Sequence, residues 1–378
     1  MHLSLVANII PPGSPMTFSP ETTRAWVDVD LAALVANART VAAVSGSRLL
    51  PMVKANGYGL GATEVARALE ALDPWGFGVA SIDEARVLRA SGIVRPILVM
   101  TPLQPQAIRQ YLDLDLRPSI GDVPALESWI ATGSKPFHVE IDTGMSRAGV
   151  RWDDRASVSH LATLLPAAKG WEGAFTHFLA AESDLDGSKR QWDRFQEVLR
   201  VLPGRPPLIH ASNSAGALRG KLFAGDLVRP GIYLYGGAAG SQSPKAVAAL
   251  RARVVAIRSI AAGDTVGYGA TWRAERPTRV ATVGVGYADG FPRASPAAGP
   301  YPLPRHIELS GKMAPLVGRV TMDMCMAAVR EDVAVGDVAT VFGGLISLDQ
   351  QAEAAGTISY ELLTRLGPRV ARRYGRSP

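Results

Sequence analysis

The chain of 378 residues is long enough for about two domains at roughly 100 to 200 residues each. A composition of 47% hydrophobic and 20% charged residues is that of a folded globular protein and excludes a disordered one, while the single Cys325 excludes an intramolecular disulfide and a multi-cysteine metal site. The net charge of +6 arises from 33 Arg and 7 Lys against 34 acidic residues, and the arginines are scattered along the whole chain, so no basic face is marked for nucleic acid or an anionic surface.

No apolar run approaches the roughly 20 residues that span a bilayer. Residues 1–13 carry an apolar patch, but the first basic residue is Arg24, so the charged start of a secretory signal is missing. Residues 1–25 therefore read as an N-terminal extension of a cytoplasmic protein, with a strand that joins the later β domain.

From Ala25 to about Tyr235, short apolar runs alternate with segments of helical period, as in βα repeats around a parallel sheet. A helix capped by Asp30 (LAALVANARTVAAV) comes first. Strands are then predicted at 48–54, 76–81, 96–101, 117–120, 136–142, 173–178, 206–213 and 228–235. Eight strands separated by helices such as IDEARVLRASG predict an α/β fold of the (β/α)8 TIM-like barrel type over residues 26–245.

The texture then changes. Residues 246–378 predict a second, mostly β domain, with strands at 254–260, 264–272, 279–287, 306–311, 315–320, 324–330 and 337–343 and helical period only at 348–367. Five prolines between 292 and 304 predict an irregular loop.

Reactive groups of such a barrel sit at the C-terminal ends of its strands. Lys54 ends the apolar run LLPMV; in that position an ammonium beside other cations has a depressed pKa and suits Schiff-base or base chemistry, although position alone is equally consistent with a surface lysine. Arg147 follows the fifth strand, His177 ends the sixth, Ser214 follows the seventh and Arg229 lies in the eighth. The amides of Gly231 and Ile232 with the hydroxyls of Ser214 and Tyr58 would suit a phosphate monoester. Taken singly, a histidine at a strand end is more often a structural residue, and RPG is equally a turn.

Together the segments VKANGYGLGA (53–62), EIDTGMSRAG (140–149), THF (176–178), HASNSA (210–215) and VRPGIYLYG (228–236) closely resemble the pyridoxal-phosphate-dependent alanine racemases. The resemblance continues in order through VGYGATW (266–272), VGYADGF (285–291), GRVTMDM (318–324) and ISYELLTRLG (358–367), and it runs from Trp26 to Tyr374. It implies interconversion of L-alanine and D-alanine, the latter supplied to peptidoglycan. Lys54 then carries pyridoxal 5'-phosphate in Schiff-base linkage, with Tyr58, Ser214, Gly231 and Ile232 at its phosphate, Arg229 at its pyridine nitrogen, and His177 and Tyr360 beside it.

By the same resemblance Lys54 and Tyr268 are the two bases, Lys54 for the D-enantiomer and Tyr268 for the L-enantiomer. The enzyme is then a homodimer in which the partner subunit contributes Tyr268 and Met322. Arg147 and Met322 meet the substrate carboxylate or its neighbourhood, while Tyr287, Arg293 and Tyr360 line a narrow entry. No metal site, nucleic-acid partner or membrane partner is implied. One position departs from the family pattern. Where many relatives have a carbamylated lysine that holds the arginine, this chain has Glu140, seven residues before Arg147, and its carboxylate is expected to replace the carbamate in part. A broader amino-acid racemase, acting on serine or other substrates, and a pyridoxal-phosphate carrier without turnover are the alternative readings; a second base at Tyr268 argues against the carrier.

Overall fold

The structure, a computed structural model, describes residues 22–133, 135–240, 242–293 and 304–375. Most of the N-terminal extension and of the proline-rich loop expected from the sequence lies outside the described residues. The eight predicted barrel strands are present as Arg48–Leu49, Phe77–Val79, Ile97–Pro102, Arg117–Ile120, Phe137–Asp142, Trp171–Phe175, Leu208–His210 and Leu227–Val228. Six pair in parallel in one sheet, and the last pairs in parallel with the first. A parallel bridge between Met52 and Gly78 joins the first strand to the second. At the other seam Asp226 N–H donates to the Ile209 carbonyl at 2.7 Å and Arg229 N–H to the Ser212 carbonyl at 2.8 Å, which closes the barrel. Strands of such a barrel are covered on both faces, and all six residues of Phe137–Asp142 are buried, the polar His138, Glu140 and Asp142 among them.

Helix Leu31–Ser45 begins where Asp30 accepts the Ala33 amide at 2.8 Å and ends at Gly46 in the left-handed conformation, two standard boundary devices that the sequence displays. Strand Ala25–Asp30 pairs antiparallel with the 13-residue Ala248–Ile260 and parallel with Ala371–Gly375. The boundary expected at residue 26 therefore cuts through a strand of the β domain. Its alternating pattern fits either sheet, and the choice is made by pairing partners more than 200 residues away.

Several predicted strands are shortened, each for a local reason. Residues 228–235 leave the sheet after Val228 because Pro230 lacks an amide hydrogen, and Ile232–Tyr235 winds into a 3-10 turn. The expected strand 206–213 survives only at Leu208–His210, since Asn213 caps the next turn. Segment 264–272 is two short paired strands, Thr265–Val266 and Trp272–Arg273, around a turn at Tyr268–Ala270. The strand predicted at 315–320 lies at Lys312–Pro315, and Gly318 with φ of 71° turns the chain away. The helical stretch 348–367 is two helices, Leu348–Ala354 and Ser359–Thr364. Among the described residues no helix is long and apolar enough to cross a membrane.

Candidate active site

A cavity of about 310 Å³ opens at the C-terminal ends of the barrel strands. Lys54, Tyr58, Arg147, His177, Ser214, Arg229, Gly231, Ile232 and Tyr360 all line it, which brings together residues spread over 300 positions of sequence. Lys54 enters on an unusual backbone: Ala55, Asn56, Gly57 and Tyr58 have φ of 52°, 54°, 62° and 52°, one turn of left-handed helix. Such a conformation costs roughly 1–2 kcal/mol per non-glycine residue. Offsetting bonds hold it. Glu84 accepts the Ala55 amide at 2.7 Å, Asn56 Oδ1 accepts the Ala62 amide at 3.0 Å, and the Asn56 carbonyl accepts from Gly61 at 2.8 Å. Glu84 is anchored in turn by the Ala80 amide at 2.7 Å.

Burial pulls the Lys54 ammonium below its usual pKa, and Arg147 and Arg229 lower it further against an opposing pull from Glu84. This enlarges the neutral, nucleophilic fraction. Arg229 is buried and donates to neutral acceptors only: Nη1 to His210 Nδ1 at 2.6 Å and the His210 carbonyl at 3.0 Å, Nη2 to the carbonyls of Thr176 at 2.7 Å and Ala211 at 3.0 Å. Burial brings its pKa down to about 10, so it remains a cation at neutral pH. Nη2 also donates to His177 Nδ1 at 3.2 Å. His177 must accept there, and burial with the charges of Arg229, Arg147 and Lys54 holds its pKa well below the ordinary histidine value, so the ring is neutral with its proton on Nε2.

The far wall is a cradle for an anion. Ser214 Oγ accepts the Gly231 amide at 2.8 Å, which leaves its own hydroxyl proton to donate. The Tyr58 hydroxyl lies so close to Gly231 that a Cβ there would collide with it, so glycine is required for this approach. Tyr58 is fixed by stacking on Tyr235, with ring centroids 4.4 Å apart, and Tyr235 is tied to the Met52 carbonyl at 2.8 Å. Two hydroxyls, an adjacent helical turn opening at Ser214 and the Lys54 cation form a donor set matched to a phosphate monoester and an aldehyde.

Glu140 is buried below Arg147 and Arg229, and its Oε2 has no hydrogen-bond partner. Desolvation pushes its carboxyl from 4.5 up to about 7, opposed by Arg229 and Arg147. No direct ion pair joins it to Arg147 among the described residues. Tyr268, 70% exposed on its turn in the β domain, Met322, Tyr287 and Arg293 are absent from the lining of the cavity of their own chain. The loops that carry Tyr287 and Met322 are bonded together, Tyr287 N–H to the Thr321 carbonyl and Ala288 N–H to the Met322 carbonyl, both at 3.0 Å. The sequence reading missed Met52, Met100, Asn213 and Thr364 in the wall, and Glu84 behind it. Asn213 stands inside the HASNSA motif and was open to recognition as a cap; Met52, Met100 and Thr364 carry no signal of their own.

Residues 29–239 match the family model described as alanine racemase, N-terminal domain, and residues 247–374 match that of the alanine racemase C-terminal domain. An alanine racemase of Acidiphilium cryptum is 38% identical over 360 residues, 91% of this chain and 97% of that protein. The biosynthetic alanine racemase of Pseudomonas aeruginosa superposes with a TM-score of 0.84 at 33% identity, over 93% of this chain and 99% of the other. An alanine racemase of Bartonella henselae with covalently bound pyridoxal phosphate superposes with a TM-score of 0.84 at 30% identity, covering 93% and 99%.

Proposed function

The chain belongs to the alanine racemase family, and on that premise we propose that it interconverts L-alanine and D-alanine by passing the α-proton between two bases, Lys54 on one face and Tyr268 of the partner subunit on the other. The observation that carries the reading is the convergence of Lys54, Arg147, His177, Ser214 and Arg229 on one cavity. The cradle fits pyridoxal 5'-phosphate: Tyr58, Ser214, Gly231 and Ile232 would hold the phosphate, Lys54 the aldehyde carbon and Arg229 the ring nitrogen. When bound, this cofactor withdraws electrons from the α-carbon and acidifies its hydrogen.

The side chains do the rest. Arg229 would hold the ring nitrogen with a donor that keeps its own proton, which would limit the charge the ring takes up and favour return of the proton to the α-carbon. Arg147 offers a planar fork to the alanine carboxylate, beside the Met322 backbone of the partner subunit. Glu140, when ionised, draws the Arg147 guanidinium into place. Neutral His177 holds Nε2–H for the Tyr268 oxygen of the partner subunit. Tyr287, Arg293 and Tyr360 narrow the entry and favour a methyl side chain. D-Alanine made in this way, in the cytoplasm, feeds peptidoglycan.

The test is incubation of the protein and pyridoxal phosphate in heavy water with L-alanine, L-serine or L-arginine. Chiral chromatography reads D-product and mass spectrometry α-deuterium. Rapid formation of deuterated D-alanine with little product from the others is expected. Equal product from all three would make the enzyme a broad racemase, and cofactor binding without exchange would overturn the racemase reading.

A further inference from the structure

Beneath Arg229 the barrel interior holds polar side chains that the mechanism above does not use. His210 Nε2 lies 2.8 Å from His138 Nδ1, and His138 Nε2 lies 3.3 Å from Glu172 Oε2. With the 2.6 Å contact of Arg229 Nη1 to His210 Nδ1, four side chains from neighbouring strands form one unbroken line. Both histidines are fully buried, whereas the Glu172 side chain is 23% exposed and lies 3.5 Å from Arg117. The line has been given room. A Cβ at Gly173 would collide with the His138 ring, and Phe175 stacks on His210 with centroids 4.9 Å apart and planes inclined by 10°.

The guanidinium has donors only, so His210 Nδ1 must accept and its proton sits on Nε2. That N–H points at His138 Nδ1, which must accept in turn, leaving the His138 proton on Nε2, aimed at the Glu172 carboxylate. Every donor in the line therefore points from Arg229 toward Glu172, and neither imidazole can gain a second proton without setting N–H against N–H. Burial and the charge of Arg229 lower the pKa of both rings, and for His138 Glu172 opposes the shift while Arg117 adds to it.

We propose that Glu172, His138 and His210 form a one-way hydrogen-bond chain that orients Arg229 from the opposite end of the barrel, making all three positioning residues for the racemase reaction. An arginine held only by carbonyls has several ways to swing within its pocket; the imidazole bond at 2.6 Å selects one, and the distal carboxylate locks the tautomer that makes this bond. The effect on catalysis rests on the placement of Arg229 at the cofactor ring proposed above. Since Arg229 does not meet the alanine carboxylate in that reading, loss of the chain is expected in kcat rather than in KM.

Nitrogen-15 NMR of the histidine-labelled holoenzyme tests the first link, and no variant is needed. His138 and His210 are both expected as neutral rings with the proton on Nε2 between roughly pH 6 and 9. A proton on Nδ1 of either ring, or protonation of either ring in this range, overturns the chain. The second link is tested with Glu172→Gln, which keeps an acceptor for His138, against His138→Leu, which cuts the line. The glutamine variant should keep the His210 tautomer and most of kcat. The leucine variant should lose the single tautomer, shift the visible absorption of the bound cofactor and lower kcat about tenfold with alanine KM within about twofold. If the leucine variant does not fold, Glu172→Ala removes the anchor at the partly exposed end and is read the same way. Expected tautomers with unchanged kcat and absorption in the cut variants would overturn the positioning role and leave the racemase assignment standing, whereas a wild type that binds no pyridoxal phosphate would overturn the assignment itself.

Discussion

Replacing Glu140 with Gln removes a buried carboxyl and leaves its shape. In the folded protein this carboxyl keeps its proton up to about pH 7, against 4.5 when free, because desolvation outweighs the attraction of Arg229 and Arg147, with Asp142 adding repulsion. At about 1.4 kcal/mol per pH unit, the preference for the protonated form amounts to about 3 kcal/mol. The sign follows from proton counts: between 4.5 and 7 the folded state binds the proton that the unfolded chain has released, so the stabilising contribution is complete at low pH and lost as pH rises through about 7. Glu140→Gln has no such slope. Its stability relative to wild type should therefore improve by about 3 kcal/mol from pH 4.5 to about pH 8, a swing of about 4 °C in relative Tm for a chain of this length. Calorimetry on both proteins across this range is the assay. Taking the difference cancels the slopes of the other carboxylates. Kinetics give the second arm: wild-type alanine KM should rise as pH falls below about 7, Glu140→Gln should show a raised and flat KM, and Glu140→Asp should lie between. Parallel stability curves would refute the buried-proton argument, and wild-type KM in both variants would refute the link to Arg147.

Glu84→Gln deprives the Ala55 amide of its carboxylate acceptor and removes the one charge that raises the Lys54 pKa; the pH at which the Lys54 amine becomes reactive should fall, read by the pH dependence of its reaction with an aldehyde. Gly231→Ala drives a methyl group into the Tyr58 hydroxyl and should weaken pyridoxal phosphate binding at least about tenfold by absorbance titration, with partial recovery in Gly231→Ala/Tyr58→Phe. Mixing inactive Lys54→Ala with inactive Tyr268→Phe after subunit exchange should restore about a quarter of wild-type activity, because half of the randomly formed dimers have one intact site. No recovery would exclude a site shared between subunits.

Much of the fold was legible because its signals are local. Short runs of four to eight residues locate all eight barrel strands, and Asp30 and Gly46 mark both ends of the first helix. Strand Ala371–Gly375 escaped notice since ARRYG has neither alternation nor hydrophobic content; it exists by pairing with Ala25–Asp30. The left-handed turn at residues 55–58 was hidden for a related reason: nothing local in ANGY predicts it, and the acceptor that stabilises its backbone is 29 residues away. Likewise nothing in the sequence links His138, His210 and Glu172. Their meaning lies in separations of 72 and 34 residues that only the closed barrel brings within bonding distance. Lys54, Ser214 and Arg229 were open to reading because the ends of parallel strands converge by construction.

The electrostatics of the cavity also bear on how many bases one chain can supply. Of the groups that line it, Arg147 and Arg229 are obligate cations near neutral pH. Burial raises the Tyr58 phenol and pushes Tyr360 up to about 12, so neither yields a phenolate base. His177 accepts from Arg229 at Nδ1 and is held well below the usual histidine pKa, so it can orient a neighbour but has little affinity for a proton from carbon. Lys54 is the exception, with a pKa brought down toward the working range by burial and two arginines. On the proposed reading a single chain would thus bring one base, Lys54, to its cavity, on one face of any planar intermediate. Removing a proton from one face and returning it to the other requires a second group, and the cationic surroundings that depress Lys54 would equally stabilise a phenolate brought in from outside. Tyr268 is exposed, absent from the lining of the cavity of its own chain and carried on a tight turn of the β domain, which on the proposed reading suits a base delivered to the neighbouring subunit.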